Sequence, residues 1–182
     1  NITGNFSPDG DEIMFSSSQD ETYGLYNLRI SDSKLTRITT ARWIEISPAV
    51  SPDGKLVAFV SDRGGTPQIY IMNRSGYDTR RVTFEGSYNT SPSWSPDNKK
   101  IVFVGRVSGK HQIFIISPDG SALTQLTDKW NNEDPSFSPD GRFIIFFSDR
   151  NGGSGIYIMR ANGESQKKIT PPWLRAFGPR WS

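Results

Sequence analysis

The chain writes one phrase four times, as FSPDGDEIMFSSS, VSPDGKLVAFVSD, WSPDNKKIVFVGR and FSPDGRFIIFFSD, with its serine at Ser7, Ser51, Ser95 and Ser138. A closing WS at Ser182 continues the series, so the intervals are 44, 44, 43 and 44 residues. A helical repeat of that length would place apolar residues every 3.6 positions. Instead each repeat breaks into short apolar runs: in the third, TSPSWS, KKIVFVG, HQIFIIS and ALTQLT are parted by turn residues. Four short strands per period in the low forties is the pattern of a propeller blade. The sequence therefore predicts an all-β protein, a β-propeller of four-stranded antiparallel blades, with four blades in one domain spanning 1–182. Its 34% hydrophobic residues suffice for a core, and 17 Gly with 12 Pro supply the turns.

The repeated tetrapeptide has a physical reading. Pro presets the first central φ of a tight turn, Asp bonds back to the turn's own amides, and Gly or Asn accepts the positive φ that closes it. Ser-Pro-Asp-Gly is thus the hairpin between a blade's first and second strands, and Asp9, Asp53, Asp97 and Asp140 are turn residues rather than a ring of ligands. A second motif (GLYNL, QIYIM, QIFII, GIYIM) puts Tyr26, Tyr70, Phe114 and Tyr157 on one face of the third strand, where they pack between blades. In RIT, RVT, QLT and KIT, Ile38, Val82, Leu126 and Ile169 point inward. SDRGG and SDRNGG read as charged hairpin turns with local Asp62 to Arg63 and Asp149 to Arg150 contacts. The chain opens and closes on inner strands, NITGNFS and FGPRWS, giving five inner strands for four outer sets. The last, ending at Ser182, is expected to pair with a segment upstream of Asn1. The absence of an initiating Met gives the look of an excised piece.

Recurring residues build the frame, so function is sought where the repeats differ. They differ in the loops leaving each blade: TARWIEISP, FEGSYNTSP, DKWNNEDP and PPWLRAFGP. The candidate partner-binding residues there are Trp43, Glu85, Ser87, Tyr88, Asn89, Trp130, Asn131, Asn132, Glu133, Trp173 and Arg175, with Phe84 and Asp134 beside them. Rings and Arg next to amides suit a protein-binding rim near the central channel. The same rings could instead plug the top of the inter-blade core, and both readings stand at this point.

Other chemistry is poorly supplied. The only histidine is His111, in an ordinary hairpin position, which argues against a Ser-His-Asp hydrolase and a His-rich zinc site. No nucleophile elbow or phosphate-cradling glycine loop occurs. Asp128, Glu133 and Asp134 lack the spacing of a calcium loop, so neither metal nor cofactor is expected. The formal charge of +2 is scattered, unlike a nucleic-acid face, and no apolar run reaches the ~20 residues that span a bilayer. The absence of Cys does not choose a compartment.

The stretch SPDGKLVAFVSDRGGTPQIYIMNRSGYDTRRVTFEGSYNTSPSWSPD resembles the propeller of the TolB family, as do LTDKWNNEDPSFSPDG and FGPRWS. Propellers of tricorn-type and prolyl-oligopeptidase-type peptidases carry similar repeats, and a substrate-gating propeller of such a peptidase is the alternative. The TolB resemblance implies part of a six-bladed ring preceded by an α/β domain, without enzymatic activity. It implies a periplasmic member of the Tol-Pal envelope system that binds the peptidoglycan-associated lipoprotein Pal at the channel mouth and contacts other Tol proteins. By position it assigns Glu85, Ser87, Tyr88, Asn89, Trp130, Asn131 and Asn132 to channel-facing loops.

Overall fold

The structure, a computed structural model, describes residues 4–19, 22–40 and 42–181. Each repeat is one antiparallel sheet whose strands neighbour one another in chain order. The first holds β1 (Asn5–Phe6), β2 (Glu12–Ser17), β3 (Gly24–Arg29) and β4 (Leu35–Arg37). The second holds β5 (Glu45–Val50), β6 (Leu56–Ser61), β7 (Gln68–Asn73) and β8 (Arg80–Arg81). The third holds β9 (Asn89–Trp94), β10 (Ile101–Val107), β11 (Lys110–Ile116) and β12 (Thr124–Gln125). The fourth holds β13 (Asn132–Phe137), β14 (Phe143–Ser148), β15 (Gly155–Arg160) and β16 (Lys167–Lys168). Among the described residues there is no α-helix, only a 3-10 turn at Arg150–Gly152, and no helix is long and apolar enough to cross a membrane. The predicted all-β architecture of four-stranded blades is what the chain forms. It divides into two compact units, Asn1–Pro92 and Ser93–Ser182.

Each Ser-Pro-Asp-Gly turn closes as its chemistry predicts. The Ser hydroxyl donates to the Asp carboxylate at 2.5, 2.7, 2.6 and 2.6 Å for Ser7–Asp9, Ser51–Asp53, Ser95–Asp97 and Ser138–Asp140. The same carboxylate accepts the amide two residues on, at Asp11, Lys55, Lys99 and Arg142. The fourth residue takes positive φ, +79° at Gly10, +71° at Gly54, +62° at Asn98 and +71° at Gly141. These bonds, the Ser hydroxyl's first, hold all four carboxyls below the usual range, Asp140 at about 2.

Packing between sheets follows from strand alternation. In the N-terminal unit Phe59, Tyr70, Val57 and Met72 of the second sheet bury against Met14 and Leu25 of the first. In the C-terminal unit Ile144, Phe146, Tyr157 and Met159 of the fourth bury against Val102 and Ile113 of the third. Every sheet repeats one ring pair, Phe15–Tyr26, Phe59–Tyr70, Phe103–Phe114 and Phe146–Tyr157, with centroids 6.1, 6.0, 5.6 and 5.8 Å apart. Gly76 shows how closely sheets approach: a Cβ there would lie 2.6 Å from the Ile38 carbonyl oxygen.

One expectation fails at the end of the chain. Ile169 does not point into a core but is 51% exposed, whereas Val82 and Leu126 are buried. Among the described residues no further sheet follows to cover it. Within this chain 171–181 carries no strand, the partner expected for FGPRWS being a segment upstream of Asn1, and Ser182 lies outside the described residues. A strand exists through its ladder, and no strand among the described residues pairs with this segment. It docks instead by Phe177 stacking on Phe147 at 5.1 Å and by Arg180 reaching the Asp134 carbonyl.

A regular feature of the inner strands escaped the sequence reading. Ser47, Ser91 and Asp134, each just before a Pro, take left-handed φ of +54°, +52° and +51°. Proline lacks an amide donor and sits where a ladder is interrupted. The register accordingly slips between Ile46 and Ala49 and between Glu133 and Ser136.

Candidate functional site

In the antiparallel blades, the loop leaving the fourth strand and the hairpin joining the second and third strands fall at the same end of the sheet. That end is ordered by a buried polar network built twice. In the N-terminal unit the Gln68 carbonyl accepts from the Thr83 hydroxyl at 2.7 Å and from the Asn89 amide at 2.8 Å. Thr83 Oγ1 accepts the Ile69 amide at 2.9 Å, and Asn89 donates to the Glu85 carbonyl at 2.9 Å. The Gln68 amide donates to the Gly86 carbonyl at 3.0 Å. In the C-terminal unit Gln112, Thr127 and Asn132 repeat this, at 2.8 Å from Thr127 and 3.0 Å from Asn132. Gln112 then donates to the Trp130 carbonyl and Asn132 to the Lys129 carbonyl, each at 2.8 Å. Burial without pairing would be costly, and here nearly every polar atom has a partner.

The expected contacts between Asp62 and Arg63, and between Asp149 and Arg150, are not what forms; each side chain reaches across to a neighbouring loop or strand. Asp62 accepts the Ile44 amide at 2.9 Å, and Asp149 accepts the Asn131 amide and side chain, both at 2.8 Å. Arg63 pairs with the fully buried Glu45, whose second oxygen has no hydrogen-bond partner among the described residues. Arg150 donates to Asn132 and Gln166. Both guanidinium groups cover aromatic faces: Arg63 lies over Trp43, Phe59 and Tyr70, and Arg150 over Trp130, Phe146 and Tyr157. Burial lowers the Arg150 pKa, with nearby acidic groups opposing it. The reason is reach, since a long side chain at a strand end finds better partners over the ring stack than beside its neighbour in sequence.

The residues singled out from sequence now separate into two groups. Asn89 and Asn132 are buried and commit their amides to the networks. Asn131 is tied to Asp149, and Trp43 is half-buried between Arg42 and Arg63 at 5.0 and 4.9 Å. Glu133 lies 2.6 Å from the His111 ring, linking β13 to β11, while burial raises the carboxyl pKa of Asp134. The exposed set comprises Phe84, Glu85, Ser87, Trp130, Trp173 and Arg175, with Tyr88 half-buried. Trp173 is 81% exposed, so plugging cannot describe it within this chain. Trp130 is less exposed, at 37%, with Arg150 over its ring and its backbone at φ +60°. Sequence reasoning missed Gln68, Thr83, Gln112 and Thr127, although the Gln-to-Thr offset is 15 in both networks. Among the described residues no cluster of three or more His, Cys, Asp or Glu forms a metal site.

Four-stranded blades, packed in pairs within each unit and joined by ordered, aromatic-bearing exit loops, are those of a β-propeller whose variable surface is its loops. The chain belongs to the TolB beta propeller domain family, which matches it over residues 1–182. No curated protein sequence matches it. The crystal structure of TolB from Acinetobacter baumannii is 30% identical over 99% of this chain, with a TM-score of 0.89. A protein of Agrobacterium tumefaciens assigned as TolB is likewise 30% identical over 98%, at a TM-score of 0.89. The chain spans 45% and 64% of the length of these two proteins. A puromycin-hydrolyzing peptidase of Mycobacterium tuberculosis, 20% identical at a TM-score of 0.72 over 97% of this chain and 31% of its own, shares the fold.

Proposed function

We propose that the chain is a non-catalytic, protein-binding propeller of a periplasmic Tol-Pal-type system, with Pal as the partner and other Tol proteins as neighbours. The observation that carries this reading is the match to the TolB family along the whole chain, together with TolB structures at a TM-score of 0.89. In this reading the repeats beginning at Ser7, Ser51, Ser95 and Ser138 form one propeller domain over 1–182, belong to a six-bladed ring, and turn their exit loops onto a common rim. Exposed Glu85, Ser87, Trp130, Trp173 and Arg175, with Tyr88, contact the partner. Buried Asn89 and Asn132, together with Asn131, Trp43 and Glu133, hold the loops in place.

The absence of enzymatic activity belongs to the same proposal. The propeller of a serine peptidase is the other reading, but likeness to a peptidase at 20% identity concerns the fold alone. The test is titration of the chain with the soluble part of Pal by calorimetry, for wild type, Trp130→Ala and Tyr88→Ala. A buried aromatic anchor removed from an interface weakens binding by about tenfold or more. Undetectable binding by wild type refutes Pal as the partner. Unchanged affinity of both folded variants refutes the rim as its seat.

A further inference from the structure

The C-terminal unit carries a cavity of about 420 Å³ lined by Val107, Lys110, Gln112, Asp128, Lys129 and Trp130, among others. Its walls are the hairpin between β10 and β11 and the loop leaving β12. Both walls are fixed. The hairpin turns through Gly109 at φ +80°, and the loop is tied by Gln112 to the Trp130 carbonyl and by Asn132 to the Lys129 carbonyl. A bulky residue at positive φ costs backbone energy, so the placement of Trp130 is enforced by its surroundings rather than chosen by the loop. A pocket held open in this way loses little on binding.

Its lining has one apolar and one charged component. Val107 and Trp130 are 39% and 37% exposed, forming an apolar seat between the walls. Lys110 and Lys129 are exposed and enter no ion pair among the described residues. Asp128 is the one acid of the lining, and its charge also acts on Arg150. Two cations beside a ring, against one acid already facing another cation, leave a positive rim around an apolar floor.

We infer that this cavity receives an acidic peptide segment of the partner protein, seating an aromatic side chain between Val107 and Trp130 and placing flanking carboxylates at Lys110 and Lys129. The inference rests on the protein-binding function proposed above and names the chemistry recognised at this part of the loop surface. The volume suits one large side chain, since it lies near the lower end of the range of small-ligand pockets. Ion pairs at such a rim orient the segment, make its binding salt-dependent and together contribute about tenfold in affinity.

The test is a two-dimensional amide NMR titration of the chain with acetyl-Gly-Asp-Phe-Asp-Gly-amide, against acetyl-Gly-Lys-Phe-Lys-Gly-amide and acetyl-Gly-Asp-Ala-Asp-Gly-amide. The acidic aromatic peptide should shift the Trp130 indole and the Ser108 and Gly109 amides, with the Trp130 signal assigned from Trp130→Phe. The other two peptides should leave them in place. The double variant Lys110→Gln/Lys129→Gln changes exposed side chains only, so its spectrum should remain folded while affinity falls about tenfold. No shift with the acidic aromatic peptide, equal shifts with the basic one, or unchanged affinity in the double variant overturns the inference. Pal binding separates the two proposals. Pal bound equally well by wild type and the double variant sinks this site and spares the partner, whereas failure of wild type to bind Pal sinks the partner while the peptide titration still decides the cavity.

Discussion

Replacing Gln112 by Ala tests whether the buried network carries the loop end of the third blade. Gln112 is 2% exposed, and its side chain makes three hydrogen bonds, from Thr127 and Asn132 and to Trp130. Truncation leaves the Thr127 hydroxyl and one Asn132 N–H without their acceptor in a place that water does not reach. Each orphaned donor costs about 1–3 kcal/mol, so the loss should be about 3 kcal/mol in all. For a chain of this length that lowers the melting temperature by about 6–12 °C. Circular-dichroism melts and urea titrations of wild type, Gln112→Ala, Thr127→Val and the double variant give the cycle. The double variant should cost about 1–2 kcal/mol less than the sum of the singles, because removing the hydroxyl removes the orphan. A single-variant loss under about 1 kcal/mol, or strict additivity, would show that the network adjusts freely and does not hold the loop. The first blade makes the comparison natural: Gly24 stands at the matching position, yet Thr39 Oγ1 still accepts the Leu25 amide at 3.0 Å.

Three further outcomes can be measured on the same samples. Gly76→Ala should cost more than about 2 kcal/mol, since φ is +90° and the new Cβ meets the Ile38 carbonyl, while Gly10→Ala, at +79° with open space, should cost about 1 kcal/mol; equal losses would dismiss the inter-sheet contact. The turn carboxyls of Asp9, Asp53, Asp97 and Asp140 are lowered by folding, so their stabilisation is complete above the ordinary value near ~3.9 and is lost as pH falls through their folded values, about 2 for Asp140. Melts from pH 5 to pH 2 should show this decline, and Ser138→Ala should make it shallower. Asp134 behaves oppositely: burial raises its pKa, so folding disfavours its charged form above that pKa and the penalty fades as pH falls. Asp134→Asn should therefore raise the melting temperature at pH 7, converge with wild type in acid, and tolerate φ +51° at least as well.

The repeating frame follows from the residues alone. Period, turn chemistry and strand alternation are local, so Ser7–Asp9 and its three counterparts, and the third-strand rings Tyr26, Tyr70, Phe114 and Tyr157, are legible in the residues, whereas their pairing with Phe15, Phe59, Phe103 and Phe146 emerges in the folded sheets. The exit loops were legible as the variable segments for the same reason, and Trp130 and Trp173 stand exposed there. Which loop residues face outward depends instead on how neighbouring sheets pack. Asn89 and Asn132 sit in the same variable segments as Glu85 and Trp130, yet each spends its amide on a glutamine some twenty residues upstream in the preceding blade. Arg63 and Arg150 likewise follow an Asp in sequence but settle over rings and strands that only packing brings within reach. The division has one cause: a turn closes over four residues and shows in the residues themselves, whereas a long polar side chain chooses among partners that exist only once neighbouring sheets have met.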